Sequence, residues 1–167
     1  MEGVLTPLLQ AKEKGSVKEE VPLAREGATE RQNFMQYDEF VGQVQNRAHL
    51  GSIGQAVGAT RATLQTLAER LAGGEVKDLA SQLPREIAFY LEQGPEGGGE
   101  RFSLEEFFNR VSQREGVDLP EAVFHARAVI DVLSDAVSAG EIEDVRAQLP
   151  ADFQTLFEAG VEGKLRA

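Results

Sequence analysis

One stretch of this chain is written twice, and that limits its fold more than any other feature. Residues 37–91 recur at about 103–157, most clearly near the end of each copy. The first copy reads Gly74-Glu75-Val76-Lys77-Asp78-Leu79-Ala80-Ser81-Gln82-Leu83-Pro84, and the second Gly140-Glu141-Ile142-Glu143-Asp144-Val145-Arg146-Ala147-Gln148-Leu149-Pro150. The offset is 67 residues early in each copy and 66 afterwards, which puts one extra residue in the first copy around His49 to Gly51. A unit of this length buries only about 60% of its unfolded surface and is marginal alone. The two copies are therefore expected to share or abut a core.

Each copy reads as helical. Tyr37, Phe40, Val41, Val44 and Ala48 fall on one helical face, answered by Leu104, Phe107, Phe108 and Val111. Ser103 with Glu106 marks a helix start, as do Ser52 with Gln55 and Asp118 with Glu121. Ile53, Ala56, Val57, Leu64, Leu67 and Leu71 make the apolar stripe of the second helix, with Leu119, Ala122, Val123, Ile130, Leu133 and Val137 as its twin. Gly73-Gly74 and Ala139-Gly140 are expected to end these helices in the left-handed position glycine accepts. A short third helix ends before Pro84 or Pro150, and a fourth carries Ile87, Tyr90 and Leu91, or Phe153, Leu156 and Phe157. Nothing alternates with period two for long enough to make a sheet. The expected fold is all-α: two tandem, pseudo-symmetric four-helix units with an extended N-terminal tail.

The boundaries follow from composition. Residues 1–33 form a tail, 34–93 the first repeat, 94–101 a glycine-rich linker, 102–158 the second repeat and 159–167 a C-terminal tail. Three consecutive glycines, Gly97 to Gly99, predict a flexible connector. Gly54, Gly58 and Thr60 weaken the second helix of the first copy.

The paired Glu-Val/Ile-x-Asp-Leu/Val-x-x-Gln-Leu-Pro segments follow Phe-x-x-x-Val-x-x-Arg helices. Together they make the chain resemble the bacterial domain of unknown function 2267 family over about residues 34–158. The resemblance implies an all-helical tandem fold and no particular activity.

Charge and residue inventory remove several function classes. Residues 103–158 hold twelve acids against four arginines, which repels a phosphate backbone and argues against nucleic acid as a partner. No apolar run approaches membrane-spanning length, and no basic-then-apolar leader opens the chain. Cysteine is absent, so thiolate catalysis and disulfides are excluded, and a cytoplasmic setting is expected. The two histidines, His49 and His125, occupy unmatched positions outside any spaced ligand motif. No catalytic residue, cofactor or metal ligand is therefore assigned. The densest carboxylates, Glu141, Glu143 and Asp144, and the patch Glu105, Glu106 and Glu115, read as helix-start acids, with a cation site as the sharper alternative.

Polar residues present in both copies are more telling: Arg47 and Arg114, Arg61 and Arg127, Asp78 and Asp144, Gln82 and Gln148. Ion pairs Arg61–Asp78 and Arg127–Asp144 are expected, tying the second helix of each copy to its third. In the tail, Val4, Leu5, Leu8 and Leu9 cluster as a short partner anchor. The reading that follows is a non-enzymatic protein-interaction module, an adaptor or small assembly subunit. The alternative is a small-molecule or divalent-cation binding domain that uses the cleft between the copies.

Overall fold

The apolar spacing read from the sequence is realised as helices throughout. A computed structural model describes residues 35–94 and 97–166, with side chains to residue 158. Eight helices lie among the described residues: α1 Tyr37–Arg47, α2 Ile53–Arg70, α3 Gly73–Ala80, α4 Arg85–Glu92, α5 Leu104–Glu115, α6 Leu119–Ala136, α7 Ala139–Ala147 and α8 Ala151–Arg166. The two long helices, α2 and α6, each have 18 residues and stand at corresponding positions in the two halves. The last helix runs to Arg166, past residue 159 where a C-terminal tail was expected. No proline follows Pro150, so nothing removes a backbone donor from the helical ladder there.

The expected helix starts are in place. Ser52, Ser103 and Asp118 each accept a hydrogen bond from the backbone N–H three residues on, at 3.1, 3.1 and 3.0 Å. These bonds satisfy donors that the first helical turn leaves open. Gly116 closes α5 with φ +79°. Its counterpart 67 residues earlier is His49, which takes the same left-handed region at φ +56°. The extra residue of the first copy is thus absorbed in this turn.

The ends of α2 and α6 differ from expectation. Gly73, Gly74 and Gly140 do not cap them; they lie in the first turns of α3 and α7. Both long helices end at residues in extended conformation, Leu71 and Val137. Leu71 and Val137 are buried, and holding them in the core turns the chain sharply into the next helix.

One apolar core runs through both halves. Phe40, Leu64, Leu67, Phe107, Ile130 and Phe153 are fully buried in it, and the Phe107 and Phe153 rings meet edge to face with centroids 5.7 Å apart. Ile53 and Leu119, expected in the apolar stripes, are instead 49% and 40% exposed. Each is the first residue of its helix, where the side chain overhangs the preceding turn rather than the core.

Residues 97–100 of the linker are docked on α2 and α3. The Gly99 N–H donates to the Leu71 carbonyl at 2.8 Å, the Glu100 N–H to the Glu69 carbonyl at 2.9 Å, and the Gly73 N–H to the Gly97 carbonyl at 3.1 Å. Two of these acceptors belong to the open C-terminal end of α2, which needs such partners. Gly97, Gly98 and Gly99 all have positive φ, and a Cβ on Gly98 would stand 2.1 Å from the Leu71 oxygen. The glycine run therefore permits a close backbone approach, and the expectation of a flexible connector does not hold for residues 97–100.

Candidate functional site in the groove between the halves

The halves are joined by contacts that each gives the other. Arg47, at the end of α1, reaches Asp131 at 2.7 Å and Asp135 at 2.9 Å on α6. Its counterpart Arg114, at the end of α5, reaches back to α2, binding Glu69 and donating to the Thr66 hydroxyl at 2.8 Å. Asp131 is only 4% exposed, so the Arg47 pair is held where water screens it little. The glutamines trade in the same way. Gln82 accepts from the Ser138 N–H at 2.7 Å, and Gln148 accepts from the Ala72 N–H at 3.1 Å. Each side chain thus caps the short helix of the other half. Two of the four recurring polar pairs therefore hold the halves together.

The other two do something else. No ion pair joins Arg61 to Asp78 or Arg127 to Asp144 among the described residues. Arg61 lies about two and a half turns before the end of α2, too far back along the helix to meet α3. It is exposed and lines a groove instead. Arg127 is half-buried, with its Nε buried and unpartnered. Asp78 and Asp144 are exposed, and their charge falls on Glu141.

The groove has a volume of about 710 Å³ and is bordered by the α1–α2 turn, the start of α2, the α5–α6 turn and the start of α6. This is the cleft between the copies. Its first wall is small and polar: Gly51, Ser52, Gly54, Gln55 and Gly58, then Arg61. A Cβ at Gly58 would meet nothing within 4 Å, and one at Gly54 only the Ser52 hydroxyl at 3.8 Å. Those glycines cost the helix about 1 kcal/mol each relative to alanine. No close packing requires them, and their effect is to leave the groove open.

The opposite wall holds a buried polar pair. His125 Nδ1 and Glu115 Oε2 lie 2.5 Å apart, with side chains 9% and 6% exposed. Burial pushes the Glu115 carboxyl up from its ordinary range, against the opposing pull of the His125 hydrogen bond. Glu115 Oε1 is buried with no partner. The sequence grouped Glu115 with Glu105 and Glu106, but Glu105 is exposed and Glu106 pairs with Arg110 at 2.9 Å. No serine, threonine or lysine is hydrogen-bonded to His125 among the described residues; its hydrogen-bond partner is Glu115. At the rim, His49 meets the Phe124 ring at 5.5 Å between centroids.

Sequence reasoning also missed Arg110. It binds Glu69 at 2.9 Å, Glu100 at 2.7 Å and Glu106 at 2.9 Å, and lies over the Phe102 ring at 4.0 Å. Its counterpart is Gln43, so recurrence between the copies gave no signal. The anchor residues Val4, Leu5, Leu8 and Leu9 lie outside the described residues. No described helix is long and apolar enough to cross a membrane.

A family model described as an uncharacterized conserved protein (DUF2267) matches residues 37–156, which takes in both halves, the linker and every residue lining the groove. No curated protein matches the chain.

Proposed function

We propose that this chain, which belongs to the DUF2267 family, is a non-enzymatic binding domain that holds a small polar molecule with an anionic group in the groove between its halves. The observation that carries this is the groove itself: about 710 Å³, lined by glycines that no packing demands. That volume falls in the range of about 300–1,000 Å³ common to ligand pockets. Arg61 supplies a guanidinium that forms no ion pair with any described carboxylate, and such a fork suits a carboxylate or phosphate. The buried Glu115 oxygen and the exposed Glu121 supply acceptors for hydroxyl or amine groups at the other wall. This is the cleft-binding alternative of the sequence reading. It is preferred to the adaptor because the groove is an opening with named lining residues, a guanidinium unpaired among the described residues and a buried carboxylate oxygen.

The test is a panel of carboxylate- and phosphate-bearing metabolites, screened on the full chain by thermal shift and by backbone amide NMR. A binder should perturb the Gly54, Gly58 and Arg61 amides. Gly58→Phe, which fills open space, and Arg61→Gln should each abolish binding while leaving the fold intact. Silence across the panel, or perturbations confined to other surfaces, would refute the reading.

A further inference from the structure

A second set of polar side chains meets at the join, away from the groove. Glu75 and Glu141 occupy the same position, 66 residues apart, in the first turns of α3 and α7. The two short helices pack on one another, and this brings carboxylate oxygens of Glu75, Glu141 and Asp144 within 4.8 Å of each other. Asp78 adds a fourth negative charge nearby.

Acids at helix starts are ordinary, and the positive end of the helix dipole offsets each by only about 0.3–1 kcal/mol. Two features set this group apart. Glu141 is 7% exposed, and its Oε2 is buried with no N–H or hydroxyl donor; the side chain that meets it is the Glu75 carboxyl. The Glu75 Oε2 is likewise buried and unpartnered, while its Oε1 accepts from Gln148 Nε2 at 3.4 Å. The same Gln148 is fixed by the Ala72 N–H, so one Glu75 oxygen is held and the other is left bare.

The second feature is the missing base. Elsewhere at the join, Glu69 and Asp131 are met by arginines. Here none of the described Lys or Arg side chains forms an ion pair with Glu75, Asp78, Glu141 or Asp144. Burying carboxylates together is costly unless a proton shared between them, as the Glu75–Glu141 contact allows, or a positive charge answers them. A cation does so directly.

We infer that Glu75, Glu141 and Asp144 bind a hard divalent cation that bridges the two halves. The ligands are all carboxylate oxygens, the donor type that suits calcium, magnesium and manganese rather than zinc. Water completes the shell on the exposed Asp144 side. Because the ligands come from both halves, the ion fastens α3 to α7. The sequence reading assigned no metal ligand: it weighed Glu141, Glu143 and Asp144 as neighbours in the chain. The structure replaces Glu143, which is exposed, with Glu75 from the other half.

The experiment uses the full chain stripped with EDTA. Calcium and magnesium are titrated by calorimetry, and manganese is followed by electron paramagnetic resonance. One saturable site is expected, with a rise in melting temperature that grows with calcium concentration. Glu141→Gln, Glu75→Gln and Asp144→Asn should each weaken binding by roughly tenfold or more. Glu143→Gln should leave it unchanged, and this control separates a built site from the acidic surface. The Glu-to-Gln variants remove a buried charge and should stay folded, which circular dichroism would verify. Absence of a saturable site for all three ions would overturn the inference, as would equal binding by the Glu141→Gln and Glu143→Gln variants.

Discussion

The docked linker makes a sharp prediction about two neighbouring glycines. At Gly98, φ is +53° and an added Cβ would stand 2.1 Å from the Leu71 oxygen and 3.1 Å from the Ala68 oxygen. Gly98→Ala thus combines two effects. Left-handed backbone costs an L-residue about 1–2 kcal/mol. The Leu71 carbonyl, a backbone group that cannot rotate away, must also be displaced. That breaks its 2.8 Å bond from the Gly99 N–H and strains the neighbouring 3.1 Å bond from Gly73 to Gly97. At about 1 kcal/mol for the broken hydrogen bond and up to about 1 for the strained one, the loss totals about 2–4 kcal/mol. Gly97 is the control: its φ is +89°, but a Cβ there meets nothing within 4 Å. Gly97→Ala should cost only the backbone strain, about 1–2 kcal/mol. Urea denaturation of the two variants would show midpoints falling in that order with unchanged slope. If residues 97–100 were a loose connector, both variants would stay within about 0.5 kcal/mol of the parent. That result, or equal losses at both sites, would refute docking.

The exchanged glutamines should behave as helix caps. Gln82→Ala and Gln148→Ala should each cost about 1 kcal/mol, and the double variant their sum, because the two contacts lie at opposite ends of α3. Thermal melts of the three variants check this, and no loss from either single change would count against reciprocal capping. The Glu115 carboxyl, raised by burial, should give a pH signature. Its protonated form is favoured in the fold, so its contribution is fully present below the ordinary carboxylate range. It is lost as pH rises through the raised value. Facing it are His125, which opposes the shift, and Glu121, which adds to it. Glu115→Gln should therefore match the parent at low pH and become relatively more stable toward neutrality. Parallel melting-temperature curves for the two proteins would contradict the burial argument.

What could be read from the chain divides along a physical line. Helix faces and the caps Ser52, Ser103 and Asp118 are local: their partners lie within four residues, and period and spacing reveal them. Contacts between halves are not local. Recurrence correctly singled out Arg47 with Arg114 and Gln82 with Gln148 as sharing a task. A residue pair within one copy and the same pair exchanged between copies leave identical traces in a repeated sequence, however. Choosing Arg47–Asp131 over Arg61–Asp78 required knowing how the halves dock. The glycine run misled for a related reason. Composition reports what a segment permits, and here permissiveness serves a close approach to α2 rather than motion. In the groove, Gly54 and Gly58 stood out as a helix-weakening departure from the second copy, but nothing in the sequence placed Glu115 beside His125.

The groove's position follows from where the exchange between halves is broken. His49 touches Phe124 across the join. The residues corresponding to these two are Gly116 and Gly58. A contact between rings on one side is therefore answered on the other by two residues with no side chains, and Gly58 lines the opening. The neighbouring position repeats the pattern, since Gly54 corresponds to Pro120. A duplicated fold needs its shared residues to keep the join, as Arg47, Arg114, Gln82 and Gln148 do. Positions released from that task can diverge at little cost to the core. Gly54 and Gly58 weaken α2 and leave space beside Arg61 and the Glu115–His125 pair, where almost any other side chain would stabilise the helix more. That combination of a helix cost and open space supports the proposed binding groove.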